Sequence, residues 1–479
     1  MKGTNHMQRR ILAGALAAVL VLAACGGDKS SSGTTAAPDT TTAATQPSET
    51  STPSGASGTI TVPDDFATIQ EAVDAAEPGA LILVKPGTYS EAVQVQTDNL
   101  TIRGLDRNTV VLDGKLELEN GIRIVGAKGV AVENMTATNY THNGFFWTGV
   151  DGYRGSYLTT YRTGDYGVYA FDSMNGQLDY IYAAGSPDAG VYIGECYPCN
   201  AVLDHTVAEH NGLGYSGTNS GGNLLIVNSI FRFNRAGIVP NSGSYELCYP
   251  SRETTIVGNE VYSNNQPDTP AIDVAILAMG NGILVAGGVK SDIQRNLVYD
   301  HDKTGIAGVP FLEEDPNDSI PTEADWALPC SEQKKKTPVD PGGALLWDAQ
   351  QNRIIGNEVT GNRLADILVA SAGSDISTLG NCFSDNKADT SKPNNLQTLA
   401  PCDATGSGDW KDGEYDITQW LIDATTAPKS VDWKTATLPE LQPQESMKDA
   451  ETAPAHPATD VPFAVDLAAI KVPAKSPAP

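Results

Sequence analysis

Short apolar runs recur through the middle of the chain, each behind a glycine. Phe145-Phe146-Trp147 follows Gly144, Val168-Tyr169-Ala170-Phe171 follows Gly167 and Val191-Tyr192-Ile193 follows Gly190. Leu213-Gly214-Tyr215 follows Gly212 and Ile238-Val239-Pro240 follows Gly237. These glycines stand 23, 23, 22 and 25 residues apart, about what three short strands and three turns consume. The pattern continues, with insertions, at Gly282-Ile283-Leu284-Val285, Gly305-Ile306-Ala307 and Asp366-Ile367-Leu368-Val369. One such coil cannot bury its apolar face alone, so it must stack on its neighbours. Propeller blades would need roughly 40 residues each. The pattern therefore predicts an all-β solenoid of roughly ten coils, ~4.8 Å apart and about 50 Å long. Asn228 with Asn234, Asn259 with Asn264, and Asn357 with Asn362 mark its turns. Asparagine tolerates left-handed backbone there and can bond to its neighbour one coil away.

The spacing differs at the start. Phe66, Ile69, Ala72, Val73 and Ala76 fall at helical intervals, and Pro78-Gly79 ends the helix. Leu81-Ile82-Leu83-Val84 reads as a buried strand and Lys85-Pro86-Gly87-Thr88-Tyr89 as a turn. This opening resembles the N-terminal cap and first coil of pectate-lyase-like β-helix proteins, pectin methylesterases among them. The resemblance implies a single-stranded right-handed parallel β-helix with a short capping helix, over residues 59–402. It concerns the scaffold, not the chemistry. From 403 to 479 the repeat gives way to Pro, Ala and acidic residues. Trp410, Trp420 and Trp433 predict that the front of this tail packs on the solenoid, and the last 30 or so residues read as disordered.

Residues 1–24 read as an export signal: Lys2, Arg9 and Arg10 precede the apolar stretch from Ile11 to Leu22. Leu22-Ala23-Ala24-Cys25-Gly26 resembles a bacterial lipobox, which implies lipidation of Cys25 and anchoring at the outer face of the membrane. Residues 26–58, rich in Ser, Thr, Ala and Pro, cannot bury enough surface to fold and read as a tether. The formal charge of −27 excludes nucleic acid as a partner and disfavours polyanionic sugars unless a metal or local basic patch intervenes. Six cysteines remain in an oxidising compartment, an even number that suits three disulfides. Cys382 and Cys402 would staple the end of the repeat, and Cys248 and Cys330 both lie in insertions. Cys196 and Cys199 form either a tight bridge or two links elsewhere.

Candidate chemistry follows from the register. Two residues before the five glycines stand His142, Asp165, Asp188, His210 and Arg235; two residues after stand Phe146, Tyr169, Tyr192, Gly214 and Val239. If Phe145, Val168 and Val191 point inward, the second column points outward. With Tyr215, it would form an aromatic platform beside acidic and basic side chains, as a polysaccharide or envelope-glycan site requires. Asp172 and Glu195 stack in successive coils, so either one carboxyl pKa rises or a cation lies between them. They could be an acid and base pair for glycoside hydrolysis. Alternatively Asp165, Asp188, Asp172 and Glu195 hold Ca²⁺, with His210 or Arg235 as the base of a β-elimination. Solvated turns and stacked aromatics would give the same columns for purely structural reasons.

Motifs of known β-helix enzymes are missing. Val202-Leu203-Asp204-His205 shares only Asp-His with a pectate-lyase strand, and Tyr299-Asp300-His301-Asp302 only loosely echoes the Asp-Pro-His-Glu of alginate epimerases. The Gly-rich stretch from Gly212 to Gly222 signals close approach of a ligand or a covering loop. The insertion from Pro310 to Gly342, acidic at first and basic at Lys334, Lys335 and Lys336, reads as a groove wall. The expectation is a surface lipoprotein that binds, and by lyase or hydrolase chemistry cleaves, a polysaccharide. The alternative is a non-enzymatic envelope scaffold or accessory protein.

Overall fold

The computed structural model describes residues 58–456, 462 and 464–477. Cys25, the leader and nearly all of the tether lie outside these residues. Each coil lays a strand in sheet I, then sheet III, then sheet II; one coil runs Asp151–Ser156, Thr159–Thr163, Tyr166–Phe171. Among the described residues sheet I has 12 strands and sheets II and III have 11 each, all parallel within each sheet. The capping helix is Ile69–Ala75, started by a reciprocal box in which Thr68 and Glu71 side chains each accept the other's backbone N–H.

Alternation along the strands fills the interior. In sheet II the inward column runs Ile122, Phe145, Val168, Val191, Tyr215, Ile238, Ile283, Ile306 and Ile367. Corners are held by buried asparagine ladders. Between sheets I and III, Asn259, Asn296, Asn357 and Asn386 follow one another, and each Oδ1 accepts the backbone N–H of the coil before. Between sheets III and II the ladder is Asn211, Asn234, Asn264, His301 and Asn362. His301 thus occupies an asparagine position. Burial pushes its imidazole down to about 4, and Asn362 only partly opposes this.

The disulfides are Cys196–Cys199, Cys248–Cys330 and Cys382–Cys402. The described part of the tail packs on the solenoid. Residues 428–454 run back along the solenoid as a strap, fastened by arginines that donate to its backbone carbonyls. Arg235 binds Pro428 and Lys429; Arg162 binds Trp433, Lys434 and Ala436. Arg107 binds Glu445, and Arg103 binds Ala453 and Pro454. Further on, Arg295 binds Leu467 and Ile470, and Ser476 bonds to Glu260. A proline-rich chain offers few N–H groups to a sheet but keeps its carbonyls, which suits guanidinium donors.

Candidate functional site

The outward column of sheet II is Arg123, Phe146, Tyr169, Tyr192, Ser216 and Val239. Phe146 stacks on Tyr169 at 4.7 Å, Tyr169 stacks on Tyr166 at 4.3 Å, and Tyr192 meets Tyr169 edge-on at 4.8 Å. Phe146, Tyr166 and Tyr169 are half-buried and His142 is exposed, so this end of the face is the more open one, although Tyr166 packs against the cluster of Ala275, Ile417 and Trp420. The other end is covered: Tyr192 is 1%, Glu195 7% and Asp188 9% exposed. The cover comes from the loop around Tyr245–Cys248 and from the insertion joined to it by Cys248–Cys330. Tyr192 Oη donates to Glu246 Oε2 at 2.5 Å, and Leu247 N donates to Glu195 Oε2 at 3.3 Å.

The structure departs from the expected register at one coil. Val191 pairs with Tyr215, and Ala189 with Leu213. Gly214, not Gly212, therefore continues the glycine column. The turn closed by Cys196–Cys199 makes that coil longer: Gln177 pairs with Val202 in sheet I, whereas Val202 pairs with Leu225. The shift displaces His210, and two further expected site residues are buried. Tyr215 is fully buried in the core, its hydroxyl donating to Ile193 O. His210 leaves the column altogether and lies after the sheet III strand Val207–Glu209. Arg235 keeps its place but is buried, its guanidinium donating to carbonyls of Pro267, Thr269, Pro428 and Lys429. It is a strap clamp, with no face left for substrate.

The remaining acids form two groups. Asp165 and Asp188 meet Asp273, from the insertion before Val274–Leu277. Burial raises all three carboxyls; the charge of Asp273 adds to the shift of Asp188, which the Tyr166 hydroxyl opposes by donating to it. Asp172 and Glu195 do stack, and the cation between them is Lys334: Nζ lies 2.5 Å from Asp172 Oδ1 and 3.2 Å from Glu195 Oε1. The pair is thus the anchor of the insertion, occupied by a lysine where Ca²⁺ was the expected alternative. Burial still raises Glu195, partly opposed by Lys334. Among the described residues no group of three or more His, Cys, Asp or Glu side chains is arranged to hold a metal ion. Glu246 is raised to about 8 by burial, with Glu195 and Asp188 adding and the Tyr192 hydroxyl opposing.

Tyr166, Glu246, Asp273, Tyr245 and Lys334 were not singled out as site residues by the repeat. Four sit in loops or insertions outside the period, and Tyr166 sits one residue past Asp165. The stretch from Gly212 to Ser220 is entirely buried. A covering loop explains it: Asn219 Nδ2 donates to Gly243 O and Glu246 O, and a Cβ on Gly212 would meet Pro187 O at 2.1 Å.

A family model described as right handed beta helix region matches residues 143–309. No curated protein matches. Among solved structures, the Azotobacter vinelandii mannuronan C-5 epimerase AlgE4 A-module is 15% identical, with TM-score 0.43, over 72% of this chain and 96% of that one. An alginate lyase from Paenibacillus sp. str. FPU-7 is 14% identical, with TM-score 0.39, over 68% and 98%. A Family 28 exopolygalacturonase of Yersinia enterocolitica is 12% identical, with TM-score 0.36, over 74% and 79%. The family model and the three stacked parallel sheets agree: the chain is an all-β, single-stranded right-handed parallel β-helix.

Proposed function

We propose that this protein binds an uncharged or weakly acidic polysaccharide across the open end of sheet II, as an exported lipoprotein held through Cys25. One observation carries the reading. Phe146, Tyr166 and Tyr169 form a half-buried ring platform beside Glu246, whose carboxyl burial raises to about 8. Aromatic faces take the apolar side of sugar rings, and neutral carboxyls can donate to hydroxyl oxygens. A protonated Glu246 is the candidate acid for glycosidic cleavage, since general acids of this class have raised pKa values.

A second reading, of a binding module without catalysis, is favoured by the cover over Asp188, Tyr192 and Glu195. One assay separates them. The protein is titrated calorimetrically with a panel of neutral and uronate polysaccharides, and products are scored for reducing and unsaturated ends with and without Ca²⁺. Binding plus new reducing ends that disappear in Glu246→Gln supports a hydrolase, and binding alone supports the module. No binding to any polysaccharide overturns both. The anchor is tested separately: Cys25→Ala should move the protein from the detergent phase to the aqueous phase on Triton X-114 partition.

A further inference from the structure

His210, displaced from sheet II, lies at a cavity of about 510 Å³ between sheet III and the C-terminal strap. That size falls within the roughly 300–1,000 Å³ of small-ligand sites. Sheet III supplies Tyr182, Glu209, His210, Arg232 and Phe233, and the strap supplies Gln442 and Gln444. We infer that this cavity is a second binding site, independent of the sheet II platform, for one or two units of an uncharged sugar.

The wall is built before any ligand arrives. Glu209 Oε1 accepts from Tyr182 Oη at 2.7 Å and Oε2 accepts from Arg232 Nε at 2.6 Å. Arg232 Nη1 bonds to Tyr262 Oη at 3.0 Å. The guanidinium is therefore fixed on two sides, and its Nη2 has no hydrogen-bond partner among the described residues. Phe233 and His210 lie 5.6 Å apart, tilted by 35° and both half-buried, with the Arg232 guanidinium 5.5 Å from the Phe233 ring centre, so ring faces and donor sit side by side. On the strap side, Gln442 Nε2 donates to Glu440 O and Gln444 Nε2 donates to Gln442 O. Each amide is thus turned by its own chain, which leaves its Oε1 as an acceptor.

The chemistry of the ligand follows. Arg232 offers a donor, the two glutamines offer acceptors, and Phe233 offers a face for C–H groups. A ring carrying hydroxyls on its edge and C–H on its face meets all three. A net charge is not matched. Arg232 is already neutralised by Glu209, and Glu440 also lines the cavity. Burial holds the His210 imidazole down, Glu209 opposes this and Arg232 adds to it.

The test uses the full chain carrying Tyr169→Ala, so that the sheet II platform is disabled. It is titrated by calorimetry with maltotriose, cellotriose, mannotriose and triacetylchitotriose. The expected result is saturable binding of at least one trisaccharide, weakened at least tenfold by adding Gln444→Ala or Phe233→Ala. Gln444→Ala alters a partly exposed strap side chain, so its folded state is checked by an unchanged melting temperature. No trisaccharide bound by the Tyr169→Ala chain, or binding that neither substitution weakens, overturns the inference. Failure of the sheet II reading would show separately, as polysaccharide binding by a Phe233→Ala chain that adding Tyr169→Ala leaves intact.

Discussion

Two carboxyls of opposite character, Glu246 and Glu133, give the residue-scale tests. Glu246 is raised to about 8 in the folded chain, so between its ordinary range near 4.5 and 8 the folded state holds the extra proton. Stability must then fall as pH rises through that window and level off above it. Asp165, Asp188 and Asp273 shift in the same direction. Glu246→Gln keeps a partner for Tyr192 but removes this titration, so melts at pH 5 and pH 8 should differ less in the variant than in the parent. Glu133 is the reverse case. Burial alone would raise it, but His456, Arg103 and Arg154 outweigh burial and hold it at about 2. Its contribution is complete above about 4.5 and is lost as pH falls toward 2. Arg103 and Glu133 are both fully buried, with Nε 2.8 Å from Oε2. Glu133→Ala leaves an uncompensated guanidinium, and urea denaturation should show a loss of about 3–5 kcal/mol.

At the scale of the coil, stability rests on the ladders. Asn296 Nδ2 donates to Ile256 O and to Asn357 Oδ1, and Asn296 Oδ1 accepts from Asn259 N. Asn296→Ala strands buried backbone groups, and a loss of about 1–3 kcal/mol in denaturant unfolding is expected. These ladders were legible in sequence because asparagine recurs at the corner with the period of the coil. The register was legible only while that period held. Gly144, Gly167 and Gly190 line up as their spacing says. At the next coil the sequence offers both Gly212 and Gly214, and only the steps on both sides taken together decide for Gly214, at 24 and 23 residues against 22 and 25. The two extra residues lie in the Cys196–Cys199 turn, whose length no apolar pattern records. The error carried His210 onto a face it does not occupy, whereas Tyr215 points inward in either register, since a shift of two residues keeps a side chain on its face. The loop residues of the site were hidden for a related reason. Glu246 and Asp273 reach sheet II from excursions that do not repeat. Lys334 could be recognised as basic, but not as the partner of Asp172 and Glu195.

Across the whole molecule, the strap ties distant coils to one another. Arg235 and Arg103 are buried and depend on its carbonyls, as do Arg162 and Arg107 in part. A chain ending at residue 426 leaves these donors short of acceptors. It should melt well below the full chain and become sensitive to proteolysis along sheet III; an unchanged melting temperature would mean that the strap adds no stability. Recognition is expected at the half-buried rings Phe146 and Tyr169 of sheet II. The most direct test is calorimetric titration, with the same polysaccharide panel, of a Phe233→Ala parent, which lacks the sheet III site, and of its Tyr169→Ala derivative. The expected result is saturable binding by the parent that drops at least tenfold in Tyr169→Ala with the melting temperature kept. Absence of binding by the parent, or equal binding by both proteins, would contradict the assignment of sheet II as the glycan face.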